Sequence, residues 1–151
     1  MKALVENKKA WLEYEELEGY EAGIELEGHE VKSLRTGKAS LIGSRVVIRG
    51  GEAFLVGATI TPYQIKNTPS AYEADRTRRL LLNKKELVEL SVYENQKGLT
   101  IIPVMVYNSK RRLKVKIAVA RHRKKHDKRA ILKDRDAKRS IRRTLKNEYE
   151  S

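Results

Sequence analysis

Cysteine is absent from the 151 residues, which excludes a disulfide framework and any thiolate metal site. No apolar run approaches the ~20 residues that span a bilayer. No basic-then-apolar leader opens the chain, so neither a membrane-embedded nor a secreted protein is expected, and the expected compartment is the cytoplasm. The three histidines, His29, His122 and His126, lack clustered carboxylates that would complete a metal-ligand spacing. Neither GxGxxG nor a P-loop occurs. Asp127, beside Lys128 and Arg129, is a poor general base, because the cations favour its ionised and weakly basic form. These gaps argue against an enzyme and leave no cofactor to expect.

What the chain has is positive charge, unevenly placed. Lys and Arg number 33 against 20 Asp and Glu, a net +13. Residues 121–151 hold 13 of those cations and 5 acids, a net +8, which leaves +5 for the first 120 residues. The opening thirty residues run the other way, with nine Glu against Lys2, Lys8 and Lys9. The densest stretch is ARHRKKHDKR, Ala120 to Arg129. Such an excess points to a polyanionic partner, and without a membrane signal that partner is nucleic acid.

The first 120 residues read mainly as strands. Trp11 to Leu26 mixes apolar and Glu positions, with Gly19 and Gly23 as sites for a bulge or bend. Ser44–Ile48 and Ala53–Val56 flank Gly50-Gly51, a dipeptide suited to a tight hairpin. Leu99–Tyr107, where Pro103 suggests an edge or a bulge, meets Arg112–Ala120 across Asn108 to Arg111. Leu113, Val115, Ile117 and Val119 alternate with Lys114, Lys116, Ala118 and Ala120, so one face makes core and the other offers cations. About five or six strands are expected.

Two helices should interrupt them. Gly28–Gly37 places Val31 and Leu34 three apart, with Gly37 as a C-terminal cap. Asn83 can cap a second helix, with Glu86 completing a capping box and Leu82 stapling to Leu87 before Leu90. A small β-rich body with inserted helices fits an oligonucleotide-binding-like antiparallel barrel.

Beyond Arg121 the apolar content thins. Ile131, Leu132, Ile141 and Leu145, with Ala130 and Ala137, make a helical stripe too narrow to repay ordering entropy in water. The expected organisation is a barrel over 1–121 and a basic tail over 122–151, disordered when free and helical on a phosphate-lined surface.

Particular strings carry a resemblance: NKKA (Asn7 to Ala10), YEAGIELEGHEVKSLRTGKA (Tyr20 to Ala39), FLVGATITPY (Phe54 to Tyr63), RTRRLLLNKKEL (Arg76 to Leu87), LTIIPVMVY (Leu99 to Tyr107), KVKIAVAR (Lys114 to Arg121) and HDKR (His126 to Arg129). In this order, over nearly the whole chain, they resemble the small protein B family, the SsrA-binding proteins. The resemblance implies an RNA-binding adaptor that holds the tRNA-like domain of transfer-messenger RNA and delivers it to stalled bacterial ribosomes for trans-translation. It implies no chemistry by the protein itself, a monomer, and a tail that probes small-subunit ribosomal RNA at the decoding centre and in the empty mRNA channel.

Matched position by position, the resemblance implies contacts with transfer-messenger RNA by Asn7, Glu21, Leu81 and Asn83. A carboxylate such as Glu21 can accept from a base amino group or a ribose hydroxyl, which no cation can do. Asn83 has a competing local role as a cap, and Leu81 one as core. Lys32, Arg35, Lys114 and Lys116 are candidate phosphate contacts. Arg121, Arg123, Lys124, His126, Asp127, Lys128 and Arg129 match the family's decoding-centre segment, with the imidazole stacking on a base.

The sequence departs from the family where His122 and Arg123 replace the usual glycine and lysine, where Glu73-Ala74 replaces Asp-Pro, and where Ala137 replaces a Trp common in relatives. From the charge alone, a structural protein threading ribosomal RNA with its basic extension is the alternative.

Overall fold

The computed structural model describes residues 2–150, with side chains at 2–66 and 68–143. In chain order its elements are β1 (Ala3–Glu6), α1 (Ala10–Glu13), β2 (Tyr14–Ile24), α2 (Gly28–Arg35), β3 (Ala39–Ser40), β4 (Arg45–Arg49), β5 (Glu52–Val56), β6 (Thr59–Ile60), a 3-10 turn (Ile65–Asn67), β7 (Arg78–Leu81), α3 (Lys84–Glu94), β8 (Leu99–Ser109), β9 (Arg112–His122) and α4 (Lys125–Glu150). The main sheet runs β1-β8-β4-β5-β7-β2-β9, and the β8–β9 pairing closes its last six strands into an antiparallel ring. β1 lies outside the ring on β8, and β3 pairs with β6 as a separate ribbon.

The strands that the sequence marks most clearly form the wall. Val115, Ile117 and Val119 are fully buried and Leu113 nearly so, as alternation requires. Gly50 and Gly51 sit at φ 60° and 76°, the left-handed pair that turns β4 into β5 with strand twist preserved. Pro103 marks a bulge, since the β8–β9 register shifts between Pro103 and Met105. β8 is nevertheless an inner strand, paired with β1, β4 and β9.

Several expectations are corrected. Nine strands are present among the described residues, because β1, β3, β6 and β7 are two to four residues long. Runs that short do not complete a recognisable alternation. Trp11 to Glu13 belong to α1, a single helical turn that seats Ala10 against Ile102 and Ala120. Burial of Ala118 and Ala120 beside it confines the Lys and Arg side chains on the outer face of β9 to Arg112, Lys114 and Lys116. The bulge in β2 falls between Glu16 and Glu18, opposite Ala120 and Val119, while Gly19 and Gly23 keep regular pairing.

Both expected helices are present. In α3 the Asn83 side chain accepts from the Glu86 amide at 2.8 Å and Glu86 accepts from the Asn83 amide at 3.2 Å, so both halves of the box form. Leu90 is fully buried, and Leu82 and Leu87 pack against the core. The Tyr20 hydroxyl donates to Glu89 at 2.9 Å, pinning α3 on β2, and burial followed by this bond pushes that phenol above its ordinary value. α3 ends at Glu94, before Gly98, which serves the turn into β8. α2 buries Leu34, Ser33 and Glu30.

The tail from Lys125 is one helix, the form that the sequence associates with a bound arm. Nothing in its sequence breaks it, and Lys138 pairs with Asp134 at 3.2 Å across one turn. Ile141 is 60% exposed and Leu132 43%, so the helix buries little apolar surface of its own. Leu145, the last member of the expected stripe, lies outside the described side chains.

Candidate nucleic-acid interface

β2 and β9 lie side by side in register, and their outer faces set the first surface. Glu21 stands directly opposite Lys116, and Gly23 opposite both Lys114 and Leu81. Lys114 Nζ lies 3.7 Å from Glu21 Oε1, with the Glu21 side chain 51% exposed. Tyr107, buried on β8 opposite Lys114, is pushed up to about 12 first by burial and then by its hydrogen bond to Glu21. The carboxylate is therefore held between a phenol and an ammonium, and still presents open acceptor capacity to solvent.

Leu81 is 47% exposed, which corrects the reading of this residue as core; its neighbour Leu80, 2% exposed, takes that role. The step from Leu80 to Leu81 is one strand residue, so the two must face opposite ways. Gly23 makes room for Leu81, because a Cβ on Gly23 would stand 3.2 Å from the Leu81 Cβ. Between them opens a cleft of about 410 Å³ whose walls include Gly23, Leu81, Val31, Arg35, Arg112 and Lys114.

Arg35 reaches over from α2, donating to Asn108 Oδ1 at 3.3 Å and to the Arg111 carbonyl at 3.4 Å. Lys32, one turn earlier, is exposed. Asn83 is exposed two residues beyond Leu81 and spends its side-chain oxygen on the Glu86 amide, which leaves its amide nitrogen able to donate. Arg111 and Arg112, also at this cleft, were not singled out from the sequence. The turn that presents them is Lys110-Arg111, with φ 48° and 68°, positions where glycine or asparagine is the usual signal and is here missing.

Asn7 does not join this group. Its side chain donates to the Pro103 carbonyl at 2.9 Å and its amide to the Val104 carbonyl at 2.8 Å, so it secures the bulged stretch of β8. It borders a second cleft of about 550 Å³, with Lys9, Glu13, Tyr14, Arg45 and His122. Lys114 and His122 are eight residues apart on one strand, so the two clefts lie at opposite ends of β9, about 26 Å apart.

The tail leaves from this second end. Arg121, Lys124, His126 and Arg129 are exposed. His126 is 79% exposed and lies 3.0 Å from Asp127 Oδ1, leaving its ring face open. Arg123 is different: its amide donates to the Glu13 carbonyl at 2.9 Å and its Nε to the Tyr14 carbonyl at 3.2 Å. Lys128 is half-buried, bonded to Glu13 at 2.8 Å. The expected ribosome-facing set thus divides into free cations and two that touch the body.

The family described as "SmpB protein" matches residues 4–147. The chain belongs to the SmpB protein family. An SsrA-binding protein of Clostridium acetobutylicum is 46% identical over 95% of this chain and 92% of its own length. An SsrA-binding protein of Chlorobaculum tepidum is 47% identical over 96% of this chain and 92% of its own. A chain from the solved structure "tmRNA-SmpB: a journey to the center of the bacterial ribosome" superposes with a TM-score of 0.67 at 44% identity, covering 80% of this chain and 84% of that one. The SmpB match spans both the barrel and most of α4, so it includes both surfaces described above.

Proposed function

We propose that this protein is an RNA-binding adaptor of ribosome rescue, working as a monomer in the cytoplasm and performing no chemistry of its own. The barrel, residues 1–121, holds the tRNA-like domain of transfer-messenger RNA. The tail, residues 122–151, takes its place at the decoding centre and along the empty mRNA channel. The tail is disordered in the free chain and becomes helical on ribosomal phosphates.

The observation that carries this reading is the placement of Glu21. An exposed carboxylate flanked by Lys114 and Lys116, beside an exposed leucine and a cleft edged with arginines, fits a folded RNA better than a uniform polyanion. Cations take phosphates, Leu81 offers an apolar seat for a base or ribose, and Glu21 accepts from an amino or hydroxyl group. Lys32, Arg35, Asn83 and Asn7 complete the contacts with this RNA; Asn7 acts from the other end of the barrel, through the β8 segment that it fixes. Arg121, Arg123, Lys124, His126, Asp127, Lys128 and Arg129 serve the ribosome, with His126 free to stack and the cations on phosphates. The absence of a membrane-length apolar helix among the described residues is compatible with this assignment.

The test is recovery of the tagged full chain from a bacterial lysate followed by sequencing of the bound RNA. One dominant transfer-messenger RNA is expected. Stable association with every small subunit, and no enrichment of that RNA, would instead mark a structural ribosomal protein.

A further inference from the structure

The connection between β6 and β7, residues 61–77, has a fixed root and an exposed tip. Where it begins, the Thr61 carbonyl accepts from the buried Ser33 hydroxyl of α2 at 2.6 Å, and the Thr61 amide donates to the Lys38 carbonyl at 3.1 Å. Where it returns, the Ala74 carbonyl accepts from the Ile60 amide at 2.9 Å, and the Tyr72 hydroxyl lies 2.9 Å from the Ile60 carbonyl oxygen. Both limbs are thus tied to the body. At the tip Ile65 is 88% exposed and Tyr63 37%, and Lys66 beside them is exposed. Lys38 Nζ lies over the Tyr63 ring, 5.4 Å from its centroid.

An exposed aromatic ring with ammonium groups beside it has the chemistry of a base-stacking site: the ring supplies a π-face, and the cations meet the flanking phosphates. Its place in the chain joins it to the Glu21 cleft. Val31 and Arg35 of α2 wall that cleft, and Lys38 follows Arg35 by three residues, so the two Cα atoms are at most about 11 Å apart. Lys32, Arg35, Lys38 and Lys66 are all exposed, a run of cations from the cleft to the tip. Glu73 and Asp75, exposed acids of the same connection, flank Ala74 at its root. An apolar tip alone would suit a protein surface; the cations around Tyr63 favour a phosphate backbone.

We propose that Tyr63 stacks an unpaired base of the tRNA-like RNA, with Lys38 and Lys66 holding the phosphates on either side. The inference rests on the barrel being the seat of that RNA, and it carries the contact from the Glu21 cleft across α2 to the loop tip. Every base has a π-face, so Tyr63 recognises that its nucleotide is unpaired and not which nucleotide it is. A paired stem offers phosphates to the lysines but no base to the ring. The tail root lies at the opposite end of β9 from the Glu21 cleft, which assigns the ligand to the tRNA-like RNA and not to the ribosomal RNA that the arm engages.

Fluorescence anisotropy of a labelled tRNA-like RNA fragment with the full chain tests this. Tyr63→Ala should weaken binding about tenfold, and Tyr63→Phe, which keeps the ring, should recover most of that loss. Lys38→Gln should weaken it about threefold and lower the slope of log affinity against log salt by about one, while Tyr63→Ala leaves the slope as it was. Tyr63→Leu, which keeps bulk without a π-face, should behave as the alanine variant does, and decides if that variant does not fold. RNA affinity equal to that of the unmodified protein in the alanine and leucine variants would overturn the proposal. So would a loss of binding to purified small subunits in their place, which would assign the tip to ribosomal RNA. Glu21→Arg in the same assay separates the two readings: if it also binds normally the adaptor reading fails, and if it alone loses the RNA only the Tyr63 inference does.

Discussion

Glu30 on α2 and Arg78 on β7 meet at 2.7 Å with neither side chain reached by solvent. Arg78 spends its remaining donors on the carbonyls of Ala58 and Ala74 at 2.8 Å each and of Arg76 at 3.0 Å, and Tyr72 donates to Glu30 at 3.1 Å. Arg76 closes the other carboxylate oxygen from the surface. This cluster fastens α2, and with it Arg35 and Lys32, to the barrel beside the Glu21 cleft. Removing one partner strands a buried charge, so Arg78→Met should cost about 3–5 kcal/mol in urea unfolding. Arg79→Met, one residue away on the exposed side, should cost less than about 1 kcal/mol.

The same cluster sets an acid limit. Burial alone would raise the Glu30 carboxyl, but hydrogen bonds from Arg76, the Glu27 amide and Arg78 outweigh it and hold the group at about 2, against an ordinary 4.5. Because the folded value is the lower one, the stabilisation is complete above about 4.5 and is lost as pH falls from there towards 2. Its size is about 3 kcal/mol. Glu30→Gln should therefore be less stable at neutral pH and show a flatter stability profile between those two values in urea titrations.

The turn between β8 and β9 stores removable strain. Lys110 has φ 48° with a full side chain, a conformation that costs a non-glycine residue about 1 kcal/mol. Lys110→Gly should raise the unfolding free energy by about that amount and leave Arg111 and Arg112 in place at the cleft. A fall in stability would show that the Lys110 side chain has a packing role of its own.

Glu21→Arg should abolish binding of the tRNA-like RNA, measured by gel shift or fluorescence anisotropy, because it removes the acceptor and sets a third cation beside Lys114 and Lys116. Gly23→Val should weaken the same binding by forcing Leu81 out of position, with a stability loss of about 1–3 kcal/mol. Binding as tight as that of the unmodified protein in either variant would place the RNA elsewhere.

Much of this architecture is legible in the sequence because it is local. Strict alternation places Leu113, Val115, Ile117 and Val119 inside; Asn83 with Glu86 starts α3; and the Gly50-Gly51 pair turns a hairpin. What escapes is set by distant partners. Glu30 and Arg78 are 48 residues apart and read separately as ordinary surface charges. Trp11 and Glu13 continue a strand-like pattern, and only the buried seat of Ala10 on Ile102 and Ala120 makes them helical. Leu81 looks like core beside Leu80, and it is the missing side chain of Gly23, on another strand, that lets it stand at the surface.

Alanine at both Lys128 and Arg129 should spare the tRNA-like RNA but block tagging on stalled ribosomes, since the Glu21 cleft and the tail root lie at opposite ends of β9. Tagging at the normal rate by this double variant would remove the tail from the decoding step.

The central claim is that the barrel holds the RNA and the tail engages the ribosome, and truncation tests it most directly. A chain ending at Arg121 should stay folded and bind the tRNA-like RNA within a few-fold of the full chain, while supporting no tagging of stalled peptides. A truncated, folded chain that lost RNA affinity as completely as Glu21→Arg would contradict it.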